Sequence, residues 1–299
     1  MINAFRNAIV ALAGSLLLVG MASATPVKAE PELLDAAAAF MFSARMKDEK
    51  TIEVRYAIAP GYYLYRERFA FVVDGATPGQ PRIPRGKPKF DVTFNKTMET
   101  FRKEVVVSIP LKEVAAGAFQ LKATSQGCAD AGVCYPPNEQ IAQFGNASGS
   151  FSAKPGAATS ALLKSPASGN AAPGANAKTS PLFARVTNID DVEQKIKSAG
   201  RIALLDFYAD WCAPCKQMER VTLADKRVKA KLAQFEALQA DVTRNTLEDK
   251  LLLKKYKLVG PPAIVFFDKA GQEIPGLRVV GFEPPEKFLQ TLERVLRVP

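Results

Sequence analysis

Apolar residues fall at every second position over two stretches early in the chain. In AFMFSARM, Phe40, Phe42, Ala44 and Met46 share one face, and in TIEVRYAIAP so do Ile52, Val54, Tyr56 and Ile58. A period of two marks half-buried strands. RFAFVV, EVVVSIPL, FQLKATS and EQIAQF are further strand-like runs, and Pro/Gly-rich stretches such as DGATPGQPRIPRGKP separate them. Leu33 to Ala38 is the one short helical turn. Short strands punctuated by turn signals predict an antiparallel sandwich.

From Leu182 to Pro299 the pattern changes. Ile189 to Ala199 has helical spacing behind a candidate N-cap, Asn188, and RIALLDFYA is an apolar strand run. Cys212 to Leu232 reads as helix, FEALQADV as strand, Thr246 to Tyr256 as helix, and AIVFFD and LRVVGF as strands. Pro284 to Leu296 closes the chain as an amphipathic helix. Strands alternating with helices predict a layered α/β domain. Between the two parts, GSFSAKPGAATSALLKSPASGNAAPGANAKTS holds no acidic residue and few bulky apolar ones. Such a segment buries too little surface to fold, so residues 148–181 read as a flexible linker between an all-β domain at 30–147 and an α/β domain at 182–299.

The formal charge of +10 arises from scattered Lys and Arg without a basic block, so a solvated surface is expected rather than a nucleic-acid footprint. There is no histidine. His-based general bases, His-ligated metals and Ser–His–Asp triads are therefore excluded. Residues 1–24 carry Arg6, an apolar stretch from Ala8 to Met21 and an A-x-A-like site at Ala22-Ser23-Ala24, the layout of a secretory signal peptide. An uncleaved membrane anchor is the alternative. Export predicts a mature chain outside the cytoplasm, where disulfides persist.

The four cysteines form two close pairs, Cys128/Cys134 in SQGCADAGVCYPP and Cys212/Cys215 in WCAPC. A metal site built from all four would need two distant segments to meet across the linker, and no metal is expected. The helical N-terminus after an apolar strand gives the second pair its chemistry. Cys212 faces free N–H groups that favour its thiolate, and Cys215 is placed to resolve a mixed disulfide. DFYADWCAPCK followed by GPPAIVFFD resembles the thioredoxin superfamily. Pro262 matches that family's cis-proline, although the preceding Pro261 has no N–H to offer a partner, so only its carbonyl can pair. Asp206 interrupts an apolar strand and must be neutral or partnered if buried. Glu219 lies four residues after Cys215. With no histidine present, these two carboxylates are the candidates for proton movement. The competing readings are a solvent-facing strand edge for Asp206 and a surface ion pair for Glu219. Trp211, the only tryptophan, adjoins Cys212 and is a candidate optical reporter.

Spacing alone leaves Cys128/Cys134 open between structural staple and redox pair. The wider pattern PELLDAAAAF, GYYLYRERF and QGCADAGVCYPP resembles the N-terminal domain of the DsbD disulfide-interchange family, and the second domain resembles that family's C-terminal domain. The resemblance implies an immunoglobulin-like first domain, a thioredoxin-like second domain, and a periplasmic relay. In that relay Cys212 attacks Cys134, and the first domain passes electrons to disulfide-bearing partners such as isomerases or the thioredoxin-like proteins of cytochrome c maturation. It also implies an aromatic cap over Cys128/Cys134, for which Phe94 in KFDVTFNKTMETF is the candidate; the alternative is an ordinary core aromatic. The family carries a membrane core between the two domains, where this chain has the linker, so a separate membrane donor, CcdA-like, is expected. No cofactor beyond the two disulfides is expected. The rival function is an immunoglobulin-like binding or chaperone module, stapled by Cys128–Cys134 and fused to a thioredoxin-like oxidase or isomerase.

Overall fold

The computed structural model describes residues 32–91, 96–114, 117–145 and 182–298. The signal segment, the linker and Phe94 lie outside the described residues.

A single helical turn, α1 (Ala36–Ala39), leads into β1 (Phe40–Asp48) and β2 (Thr51–Ile58). These two pair antiparallel with Ala44 opposite Val54, and Ile52, Val54, Tyr56 and Ile58 are all buried, as their alternation predicts. The remaining strands of the domain are β3 (Tyr62–Tyr65), β4 (Ala70–Asp74), β5 (Ala76–Pro78), β6 (Lys87–Asp91), β7 (Lys96–Phe101), β8 (Glu104–Val114), β9 (Phe119–Ser125), β10 (Gly127–Ala129) and β11 (Asn138–Phe144). They form sheets ordered β1-β2-β8-β5, β10-β3-β7-β6 and β11-β9-β4. The core between them is built from alternating residues of several strands, among them Tyr56, Val107, Ile109 and Leu121.

Two features depart from the sequence pattern. The stretch DGATPGQPRIPRGKP is not merely a separator: β5 pairs with β8, and Arg82 bridges Ser108. Its prolines are tolerated because β5 and β6 are edge strands, where a missing N–H faces no neighbour. Strand β3 lacks alternation because all four residues are buried. Tyr62 and Leu64 face the sandwich core, whereas Tyr63 and Tyr65 face a second cluster that includes the cysteines.

The second domain is a five-stranded sheet, ordered β12-β14-β13-β15-β16, from β12 (Ala184–Val186), β13 (Ala203–Tyr208), β14 (Glu236–Asp241), β15 (Ala263–Phe267) and β16 (Val279–Val280). Strands β12, β14 and β13 run parallel; β15 and β16 are antiparallel additions. Helix α2 (Ile189–Ala199) begins at Asn188, whose side chain accepts from the Asp191 N–H, and ends at Gly200 in the left-handed conformation. The predicted helix from Cys212 to Leu232 is interrupted. It comprises α3 (Ala213–Gln217), a π-helical turn over Met218–Thr222, and α4 (Lys226–Leu232). Asp225 has extended backbone and its carboxylate caps α4, which requires the chain to leave the first helix beforehand. Helix α5 (Leu247–Lys255) starts with a Thr246–Asp249 capping box, and α6 (Pro285–Leu296) follows β16. Helices α2 and α5 pack on one side of the sheet through Val192, Ile196, Leu252 and Leu253. Helices α4 and α6 cover the other through Val228, Leu232, Phe288 and Leu292. The LRVVGF run supplies only two strand residues.

Candidate functional site: two cystines in one buried cluster

Cys128 sits on β10 directly opposite Tyr63. The chain then doubles back: Ala129 N–H donates to the Val133 carbonyl at 2.8 Å, Gly132 turns at φ +84°, and Cys134 bridges back to Cys128. The two are disulfide-bonded. This loop is pinned from outside. Arg102 grips the Asp130 carboxylate with both terminal nitrogens, at 2.9 and 2.6 Å, and Asp130 N–H donates to the Gly61 carbonyl at 2.7 Å. The Arg102 hydrogen bonds hold the Asp130 carboxyl below the usual carboxylate range. Lys89 lies 3.8 Å above the Tyr63 ring and Arg102 5.2 Å from it, a pair of cations on the aromatic that backs Cys128. The Tyr65 hydroxyl is 4.0 Å from Cys128 Sγ.

Cys212 is the N-cap of α3 and is disulfide-bonded to Cys215. Cys215 N–H points at Cys212 Sγ from 3.2 Å, a donor that would favour the thiolate after reduction. Pro214 falls in the first helical turn, where its missing N–H costs nothing. Beside this pair, Trp211 is anchored through Nε1 to the Thr243 carbonyl at 2.9 Å, and Asp210 N–H donates to Thr243 Oγ1 at 2.8 Å.

Asp206 is not a strand-edge residue. It lies on β13, inside the sheet, and is 5% exposed. Gln239, opposite it on β14, donates to its carboxylate at 2.8 Å. Burial pushes its pKa up to about 7; the Gln239 hydrogen bond pulls the other way, and the Glu219 charge adds to the rise. Glu219 is half-buried in the π-helical turn, and burial raises its pKa as well. The nearest lysine in sequence, Lys216, pairs with Asp210 and Tyr208.

The Pro261–Pro262 peptide is cis. The Pro261 carbonyl accepts from Cys134 N–H at 2.9 Å, which joins the two domains through main chain. Gly260 and Gly281 make the approach possible. A Cβ on Gly260 would overlap the Cys134 carbonyl oxygen, and one on Gly281 would overlap that of Ala131. Asn245 Nδ2 donates to the Pro137 carbonyl at 3.2 Å, and Val259 packs on the core of the first domain. All four cysteines are buried in one apolar cluster with Tyr63, Tyr65 and Met98. Thus the structure brings Cys128, Cys134, Cys212, Cys215, Pro262 and Trp211 together, with Asp206 and Glu219 on neighbouring elements. Tyr63, Tyr65, Arg102, Asp130, Gln239 and Asn245 escape sequence reasoning. Only the aromatic run YYLY carries a local signal, and that signal is of burial rather than function. No cluster of metal-ligating side chains occurs among the described residues.

A cystine opening a helix on a thioredoxin-like sheet thus shares one buried cluster with a second cystine on an immunoglobulin-like sandwich. Residues 30–146 match the family described as thiol:disulfide interchange protein DsbD, N-terminal, and residues 189–296 match the thioredoxin-like domain family. Each of these two matches takes in one of the two domains. Over 118 residues it is 50% identical to the thiol:disulfide interchange protein DsbD of Ralstonia nicotianae, covering 38% of this chain and 19% of that protein. Over 112 residues it is 46% identical to DsbD of Pectobacterium atrosepticum, again covering 38% and 19%. The chain thus spans about a fifth of the length of these curated relatives. Among solved structures, the reduced N-terminal domain of Neisseria meningitidis DsbD is 30% identical, with 40% of this chain and 94% of that one covered and a TM-score of 0.36. The reduced C-terminal domain from the same organism is 31% identical, with 36% and 96% covered and a TM-score of 0.33.

Proposed function

We propose that the chain is a periplasmic protein-disulfide reductase that relays electrons from Cys212/Cys215 to Cys128/Cys134 and on to partner disulfides. The Cys212 thiolate attacks Cys134 Sγ. The Cys128–Cys134 bond breaks, Cys128 leaves with the electron pair and takes up a proton, and a Cys212–Cys134 disulfide joins the domains. Cys215 then loses its proton and attacks Cys212 Sγ, which releases Cys134 as the thiol once protonated. Counting the proton lost when Cys212 ionised, two electrons and two protons have moved from one pair to the other, and no cofactor takes part. Asp206, titrating near neutrality, is the candidate acceptor for the Cys215 proton, with Glu219 tuning it.

The observation that carries this reading is the Cys134 N–H bond to the Pro261 carbonyl. It supports Cys134 as the attacked sulfur, because Cys134 meets the proline loop and lies in the apolar cluster that also holds Cys212. The signal-like residues 1–24 support export, and the linker supports repeated docking. Partners would be periplasmic disulfide proteins, including isomerases and thioredoxin-like proteins of cytochrome c biogenesis. A separate membrane protein, CcdA-like, would restore the Cys212/Cys215 dithiol. To test this, a reduced full-length donor carrying Cys128→Ser and Cys134→Ser is mixed with an oxidised full-length acceptor carrying Cys212→Ser and Cys215→Ser. Thiols are then counted on each. Thiols should appear on the acceptor as they vanish from the donor; an acceptor that stays oxidised refutes the relay. In a reductant titration Cys128–Cys134 should open in the thioredoxin range, whereas a structural staple would resist to below about −300 mV.

A further inference from the structure

Resting on the relay reading, we propose that Asn245 is a specificity-determining residue, which selects the segment after the attacked sulfur by donating to a carbonyl three residues beyond it. The segment is Cys134-Tyr135-Pro136-Pro137. Pro136 and Pro137 have no N–H, and the Tyr135 N–H is already committed to the Gly127 carbonyl at 2.9 Å within its own domain. Past Cys134, the segment therefore presents acceptors only. The opposing loop is deficient in the same way, since Pro261 and Pro262 also lack N–H groups. Once Cys134 N–H has bonded to the Pro261 carbonyl, neither Pro261 nor Pro262 can donate to the carbonyls that follow Cys134. The donor that reaches this segment is a side chain: Asn245 Nδ2 lies 3.2 Å from the Pro137 carbonyl.

The donor is built in place. Asn245 has φ +53°, a left-handed conformation that Asn adopts at lower cost than most residues. Its loop is tied to the residues preceding Cys212, through Trp211 Nε1 to the Thr243 carbonyl and Asp210 N–H to Thr243 Oγ1. Immediately after it, the Thr246–Asp249 capping box fixes the start of α5. One acceptor at Pro261 and one donor at Asn245 thus bracket four residues of the partner. That arrangement fits a cystine whose attacked sulfur is followed by a proline-rich, acceptor-only stretch.

The test uses the same full-length donor and acceptor chains, with Asn245→Gly or Asn245→Asp placed in the donor. Glycine keeps the positive φ and removes the amide; aspartate keeps the shape and turns a donor into an acceptor. Losing one hydrogen bond should slow second-order transfer by about fivefold for glycine, and aspartate should slow it further. The reaction of the same donors with the neutral disulfide dithiodipyridine should keep its rate, since that reagent makes no use of a docked segment. Transfer at the parental rate in both variants overturns the inference, as does a parallel loss of dithiodipyridine reactivity. If the parental pair itself fails to exchange, the relay falls and this inference with it.

Discussion

The two cystines are both buried, but they are built differently. Cys212–Cys215 opens a helix, with a backbone N–H aimed at Cys212 Sγ and two carboxylates of raised pKa on adjacent elements. Cys128–Cys134 closes a tight β loop, backed by Tyr63 and Tyr65 and held by Arg102 on Asp130. Asp130, within that loop, is committed to the ion pair, which holds its carboxyl below the usual range. The proton-handling groups therefore lie on one side of the interface, and the other side supplies shape. In the proposed relay this asymmetry gives the attacking role to the helix-borne pair and the accepting role to the loop-borne pair.

The comparison can be broken at several points. The largest effect should come from the tether. Joining both domains in one chain should supply an effective concentration on the order of millimolar, so transfer within one chain should outrun transfer between chains by about a thousandfold at roughly 1 μM. Stopped-flow measurement of Trp211 fluorescence in parent and split-cysteine chains checks this; equal rates would make the linker idle. Next, Gly260→Ala places a methyl group into the Cys134 carbonyl and should cut transfer by about a hundredfold, while dithiodipyridine reactivity persists.

Asp206→Asn tests the acid–base half. The folded-state pKa of Asp206 is raised from 3.8 to about 7, so the folded protein holds an extra proton between those values. Stability is thus lost as pH rises through that window, and the cost is complete above about pH 7. The substitution should stabilise the oxidised protein at pH 8 by at most about 4 kcal/mol, and by little near pH 4, in urea titrations. It should also shift the pH profile of Cys212 alkylation; an unmoved profile removes Asp206 from proton transfer. The smallest effect is expected for Arg102→Ala. Arg102 and Asp130 are both over a third exposed, so the pair should contribute about 1 kcal/mol or less. Transfer should slow severalfold as the Cys128–Cys134 loop loosens, whereas Arg102→Lys should restore the charge but not the two-point grip. Transfer at the parental rate in both variants would show the grip to be dispensable.

Much of the fold was legible because its signals are local. Alternation placed β1 and β2, and the candidate cap Asn188 placed the start of α2. Strand β3 was hidden because burial on both faces erases the period of two. The continuous helix expected after Cys212 failed because a cap at Asp225 outweighs the helical preference of the residues before it.

Residue identity and spacing alone determined the two cysteine pairs, the absence of any histidine chemistry and the two fold classes. Only the tertiary structure decided that Cys134 meets Pro261, that Gln239 is the partner of Asp206, and that Arg102 and Asn245 serve the cysteine loops. Those pairs lie between 28 and more than 120 residues apart in the chain. A hydrogen bond over such separations depends on how whole sheets and domains pack, and no local pattern encodes it.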